Sequence, residues 1–530
     1  MRDFENPGRS LAASRNAMAA SSHPLATVAA LDILKAGGHA IDAAVAACAV
    51  QCVVEPGSTG IGGDCFVLMT PAGSAEPLAY NGSGRTPAAA TLDWYETAGI
   101  AAIDRASPHA VTIPGAVEAW ARLVADHGRM PLAEILAPAI DLARDGYAIT
   151  PRVARDTELQ QALIAADPAA SATFLVDGKP PAIGAVQRQP ALADTLAAIG
   201  REGPDAFYRG AVAEEMVEFL RTRGGLHTRD DFAAAAGEYV TPIKTDYRGW
   251  TVHECPPNGQ GVVALMILNI LERIAPSGAP QGIGNLHVLV EATRLAYAAR
   301  DLYVADTGAA EVPLDDLLSD AFADRLARRI DRDRAMPPQA AADTVEHRDT
   351  VYISVVDKDR NAVSFINSIF HPYGSGLMTP RSGVLFHNRG QSFSLQRGHR
   401  NAIAPGKRPM HTIIPGMLSR NGRAVMPFGV MGGHYQAMGH AQFLSLMIDH
   451  GFDVQAAIDA PRLFPLPGTA TVEAETRLRQ AVGPELERRG FTVQPPNWPI
   501  GGAQAIWIDW ERGTLLGGSD PRKDGCALGY

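Results

Sequence analysis

The 530-residue sequence is notable first for what it lacks. No run of about eighteen apolar residues occurs, so no membrane-spanning helix is expected. The opening stretch MRDFENPGRSLAASRNAMAA holds no apolar core of signal-peptide length. There is no basic excess: 47 Lys and Arg stand against 57 Asp and Glu, a formal net charge of −10. A nucleic-acid partner needs a dense basic surface, so none is expected. Cysteine is scarce, with Cys48, Cys52, Cys65, Cys255 and Cys526 and no CxxC pair. An odd count without a leader suits a reducing cytoplasm, the expected location. Neither HExxH nor a Cys/His cluster occurs, so no metal or other cofactor is implied. What is present is a globular balance, 46% hydrophobic and 20% charged residues, in a chain long enough for more than one core.

Along the chain, HPLATVAALDILKAGGHAIDAAVAACAV (residues 23–50) reads as two helices broken at Gly37-Gly38. VVEPGSTGIGGDCFVLMT (53–70) reads as a glycine-rich loop running into a strand. It is not a dinucleotide fingerprint, because Cys65 stands at the third glycine position and the order is loop then strand. Residues 116 to about 328 read as largely helical. Within them, YRGWTVHECPPNGQGVVALMILNIL reads as a short strand, a turn and a buried helix. RAMPPQAAADTVEHRD (334–349) is polar and aperiodic and reads as a linker. After it the pattern becomes strand-like: TVYISVV, a DKDRN turn, AVSFINS, then SGVLFHN.

A five-residue loop at 357–361 would pair strands 350–356 and 362–368 antiparallel about Asp359. Thr350 then lies opposite Ser368, with both hydroxyls on one face. A one-residue slip would separate them. On spacing alone, a cross-strand Thr/Ser pair without function remains an alternative, as does a plain turn for the Gly432-Gly433 pair in GVMGGHYQ.

Nine motifs in order change that weighting: SSHPLAT, GGHAIDAAVAA, GSTGIGGDCF, PGAVEAW, PPNGQG, DTVYISVVDKDRNAVS, APGKRPMHTIIP, GVMGGHYQ and GGSDPRKDGCALGY. With them the chain resembles the γ-glutamyltranspeptidase family of N-terminal-nucleophile hydrolases over nearly its whole length. The resemblance implies an α+β fold, a four-layer αββα sandwich built jointly from two subunits of one precursor. It implies self-cleavage between Asp349 and Thr350, giving a large subunit of 1–349 and a small subunit of 350–530. A homodimer of processed heterodimers is left open. Thr350 would be the nucleophile, Ser368 its orienting hydroxyl, and the Gly432 and Gly433 N–H groups the oxyanion donors. The residue chemistry agrees with that role. A threonine hydroxyl needs a base, and a freed α-amine, of ordinary pKa about 7.7–8.0, supplies one on the same residue.

The sequence departs from the family where the glutamyl group is held. Ser83 stands at the position of the family's carboxylate-binding arginine, with Arg85 two residues on. Phe370 stands in place of an asparagine. HNRGQSFS puts Arg389 and Ser392, after Asn388, where an amide and a carboxylate are usual. His411 and Thr412 replace paired serines. The expected substrate-binding residues are therefore Arg85, Asn388, Arg389, His411 and Thr412. The expected substrate is a small acidic amide, oxamate-like or glutaryl-like, with a genuine γ-glutamyl amide as the alternative. A catalytically silent binding protein is the reading from another class.

Overall fold

The structure is a computed structural model that describes residues 8–338 and 350–530. Alternating apolar residues build two seven-stranded sheets, antiparallel throughout. The first runs, in spatial order, Ala527–Gly529, Met18–Ala20, Val351–Val356, Ala362–Ser368, Asp64–Thr70, Leu78–Gly82 and Glu238–Val240. The second runs Ala12–Ser14, Thr514–Ser519, Gly502–Asp509, Arg423–Met431, Gly416–Arg420, Trp250–Glu254 and Ile243–Tyr247. Both sheets take strands from either side of residue 350, so the two halves share one fold.

The sheets face each other across a core containing Phe66, Leu68, Tyr352, Ile366, Met417 and Ile506. Helices cover both outer faces. Against the first sheet lies Ala40–Val54, whose fifteen residues are all buried; Ala, Cys and Val let it sit close between strands and neighbouring helices. His39 and Asp42 close its N-terminus as a reciprocal cap. Gly261–Glu272, Ile283–Tyr303 and Tyr435–Ile448 cover the second sheet. This is the four-layer αββα sandwich expected. Within strand Val351–Val356 every residue is buried, as both sheet faces are covered.

Two local expectations need correction. SGVLFHN forms no strand: Leu385 and Phe386 make only isolated bridges, to Met378 and Gly62, and the chain then enters a 3-10 turn at Arg389–Ser392. Its neighbours are a tight turn and the glycine loop, too short to extend a ladder. The expected linker also starts in contact with the fold. Met336 is buried; its N–H reaches Glu291 and its carbonyl accepts from Arg294. Residues 339–349, including Asp349, lie outside the described residues.

Candidate active site

The hairpin has the anticipated register. Val351 pairs with Asn367 and Val356 with Ala362, which sets Thr350 opposite Ser368 one residue beyond the ladder. Their hydroxyls are 3.3 Å apart, and both residues are buried. Ser368 Oγ also accepts the N–H of Phe370 at 2.9 Å. That bond holds Phe370 in left-handed backbone, φ 78°, a conformation unfavourable for a bulky residue. Gly63 is obligatory beside it, because a Cβ there would lie 2.4 Å from the Ser368 carbonyl.

Register carries the row further. Ser368 pairs with Asp64, and the Asp64 strand pairs Cys65 with Gly82, so the same row reaches Ser83. Thr350, Ser368, Asp64 and Ser83 thus line one face at the end of four adjacent strands. Asp64 was not anticipated; its only sequence signal is a carboxylate inside the otherwise uncharged GSTGIGGDCF stretch. One of its oxygens accepts Gly84 N–H at 2.8 Å and the other accepts His411 Nε2 at 3.0 Å. His387 Nδ1 lies 3.5 Å away, while its Nε2 donates to the Thr112 carbonyl at 2.9 Å. Burial pushes the Asp64 carboxyl up, but His387, His411 and Arg389 outweigh it and hold the pKa at about 2. Burial, then Arg389, push His411 down to about 3, so at neutral pH its ring is uncharged.

Arg389 is fully buried. Its Nη1 donates to Thr412 Oγ1 at 3.0 Å, and its guanidinium lies 3.9 Å over the Phe370 ring. Among the described residues, its Nε and Nη2 have no acceptor. These two atoms form one edge of the planar group, the edge that takes a carboxylate with two prongs. Burial draws its pKa down to about 9, with Asp64 opposing, so it stays cationic at neutral pH.

The remaining anticipated residues divide. Arg85 is half-exposed and already occupied: it donates to the Gly406 carbonyl at 3.1 Å and lies 3.5 and 3.7 Å from Glu238 and Asp306. Asn388 holds the next turn, accepting His371 N–H at 3.0 Å and donating to Gln391 at 3.0 Å. His411 stands behind Asp64. Of the five, Arg389 and Thr412 are joined by a side-chain hydrogen bond. Gly432 and Gly433 have φ of 116° and 57°, open to glycine, and among the described residues neither N–H has an acceptor. No cluster of three potential metal ligands occurs among the described residues, and none of their helices is long and apolar enough to cross a membrane.

The four-layer αββα sandwich, with the Thr350 and Ser368 hydroxyls paired at the end of its central hairpin, is the fold of the N-terminal-nucleophile hydrolases. The family follows from comparison with known proteins: the sequence model described as gamma-glutamyltranspeptidase matches residues 26–530, and the chain belongs to that family of enzymes. It is 38% identical over 523 residues to the glutathione hydrolase-like YwrD proenzyme of Bacillus subtilis, covering 97% of this chain and 98% of that protein. It is 36% identical over 530 residues to the oxamate amidohydrolase proenzyme of Klebsiella pneumoniae, covering 98% and 99%. The cephalosporin acylase structure from Bacillus halodurans superposes with a TM-score of 0.93 at 38% identity, over 100% of this chain and 99% of that one.

Proposed function

We propose that the protein is a self-processing amidohydrolase that cleaves small amides whose acyl group ends in a carboxylate. The observation that carries this reading is the buried Arg389 fork, charged, stacked on Phe370 and lacking an acceptor on two donors. A buried guanidinium with two nitrogens left without acceptors is costly unless a ligand completes it. Relatives named as an oxamate amidohydrolase and a cephalosporin acylase, beside others named as glutathione hydrolases, support activity in the family on amides other than γ-glutamyl ones.

In this reading the Asp349–Thr350 bond breaks first. Thr350 Oγ attacks the Asp349 carbonyl, the acyl group shifts from nitrogen to oxygen, and water hydrolyses the ester, dividing the chain into 1–349 and 350–530. The released α-amine takes the Thr350 hydroxyl proton as the oxygen attacks the substrate carbonyl. Ser368 Oγ, 3.3 Å away, orients the nucleophile. The oxyanion is met by the N–H groups of Gly432 and Gly433. The α-ammonium then protonates the leaving amine, and water or an acceptor amine resolves the acyl-enzyme. Asp64 offers no good seat for a glutamyl ammonium, since it is buried and both its oxygens already accept hydrogen bonds. The decisive experiment compares kcat/KM for glutaryl amides, oxamate and γ-glutamyl amides on the mature enzyme. The reading expects γ-glutamyl amides to be the poorest; equal or better turnover of them refutes it.

A further inference from the structure

Gln260 is fully buried in the turn before helix Gly261–Glu272. Its amide has three partners in two directions. Nε2 donates to the Thr412 carbonyl at 2.8 Å and to the Gly433 carbonyl at 2.9 Å. Oε1 accepts from Arg300 Nη1 at 3.2 Å. The chemistry fixes this orientation. Two carbonyls on one side require the NH2 group, and a guanidinium on the other, which has no acceptor, requires the oxygen. Arg300, itself buried, also donates to His434 Nδ1 at 2.9 Å and packs 4.4 Å over the Tyr297 ring. The Tyr297 hydroxyl donates to the His434 carbonyl. One amide therefore joins two parts of the site that are far apart in sequence: Thr412, which holds Arg389, and the Gly432–His434 turn. The backbone reinforces the first tie, as Gln260 N–H donates to the His411 carbonyl at 2.9 Å.

We propose that Gln260, oriented by Arg300, is a positioning residue that couples the acyl end-group site to the oxyanion turn. This rests on the carboxylate-acyl reading of Arg389. When a substrate carboxylate seats on Arg389, Thr412 is drawn into one position, and Gln260 transmits that position to the Gly433 peptide. The binding energy of the end group is then expressed in kcat as well as in KM.

The test measures kcat and KM separately for glutaryl p-nitroanilide and its uncharged counterpart, pentanoyl p-nitroanilide. In the wild-type enzyme the glutaryl/pentanoyl kcat ratio is expected to exceed one by about tenfold or more. Gln260→Glu keeps the shape and can still face Arg300, but it cannot donate to either carbonyl. Its kcat ratio should fall toward one while the ratio of the two KM values changes by less than about twofold. Arg300→Met, which frees the amide to turn, should move the kcat ratio in the same direction and serves if Gln260→Glu does not accumulate folded. Equal loss of kcat on both substrates in either variant, with the ratio kept, would mean that Gln260 only supports the fold, and the coupling is refuted alone. A wild-type enzyme with no preference for the glutaryl amide refutes the acyl reading, and the coupling with it.

Discussion

Replacing Arg389 by Met removes the charge and the fork while keeping much of the side chain's length. The structure sets what should be lost. Nη1 already serves Thr412, so a substrate carboxylate meets Nε and Nη2. Each charge-assisted bond is worth about 1.5–3 kcal/mol, and a two-pronged contact to this buried guanidinium should contribute about 3 kcal/mol after the carboxylate loses its water. That corresponds to a loss of roughly a hundredfold in kcat/KM for a glutaryl amide. A pentanoyl amide of similar shape should change by less than about fivefold, because its methyl end never used the fork. Arg389→Lys should fall between, keeping the charge without the planar edge. The assay is p-nitroaniline release from both amides by each mature variant, with thermal unfolding as the check on folding. Met at 389 also leaves the Asp64 charge without its cationic neighbour, so some lowering of the melting temperature is expected. The reasoning is refuted if both amides lose activity by the same factor, or if the glutaryl preference survives in Arg389→Met.

Other perturbations test other parts. Wild-type protein should resolve into two chains, the smaller beginning Thr-Val-Tyr-Ile, and Thr350→Ala should stay intact and inactive; N-terminal sequencing that finds another start rejects the cleavage site. Ser368→Ala should slow both maturation and turnover, by about tenfold for loss of one hydroxyl contact, while Ser368→Thr keeps more of each; equal wild-type rates in both would reject the 3.3 Å contact as functional. Asp64→Asn removes a negative charge near Arg389, so KM for anionic amides should drop several-fold while that for the pentanoyl amide holds; a rise in both would reject the electrostatic role. Burial lowers the His227 pKa from 6.5 to about 4, so the unfolded chain binds the extra proton between those values. Its stabilising contribution is full above pH 6.5 and declines toward pH 4, by about 2 kcal/mol at pH 5. Wild-type melting temperature should therefore fall below pH 6.5, and less steeply in a folded His227→Asn variant; identical slopes would reject the assignment.

Much of this protein was written locally. The alternation of TVYISVV and AVSFINS around a five-residue turn determined the hairpin and its register, because one slip would turn the whole apolar set to the wrong face. The Gly37-Gly38 break separated two helices now seen at Pro24–Lys35 and Ala40–Val54, since glycine ends a helix where side-chain-bearing residues resist the required backbone. SGVLFHN shows where local pattern misleads: its residues suit a strand, but no neighbouring strand edge is offered to it. The site divides in the same way. Thr350 and Ser368 could be paired from sequence because a hairpin relates near neighbours by counting.

The charges could not be read by counting. Arg85 and Arg389 are alike in sequence, each a single arginine near a glycine turn. Only the tertiary structure placed Glu238 and Asp306 beside the first and Thr412, Phe370 and two open donors beside the second. Asp64 and Gln260 were invisible as site residues for the same reason. Their partners lie 347 residues away at His411 and 173 away at Gly433. Hydrogen bonds and buried charges act over a few ångströms in space, and sequence spacing carries no record of which distant segments the packed sheets bring within that range.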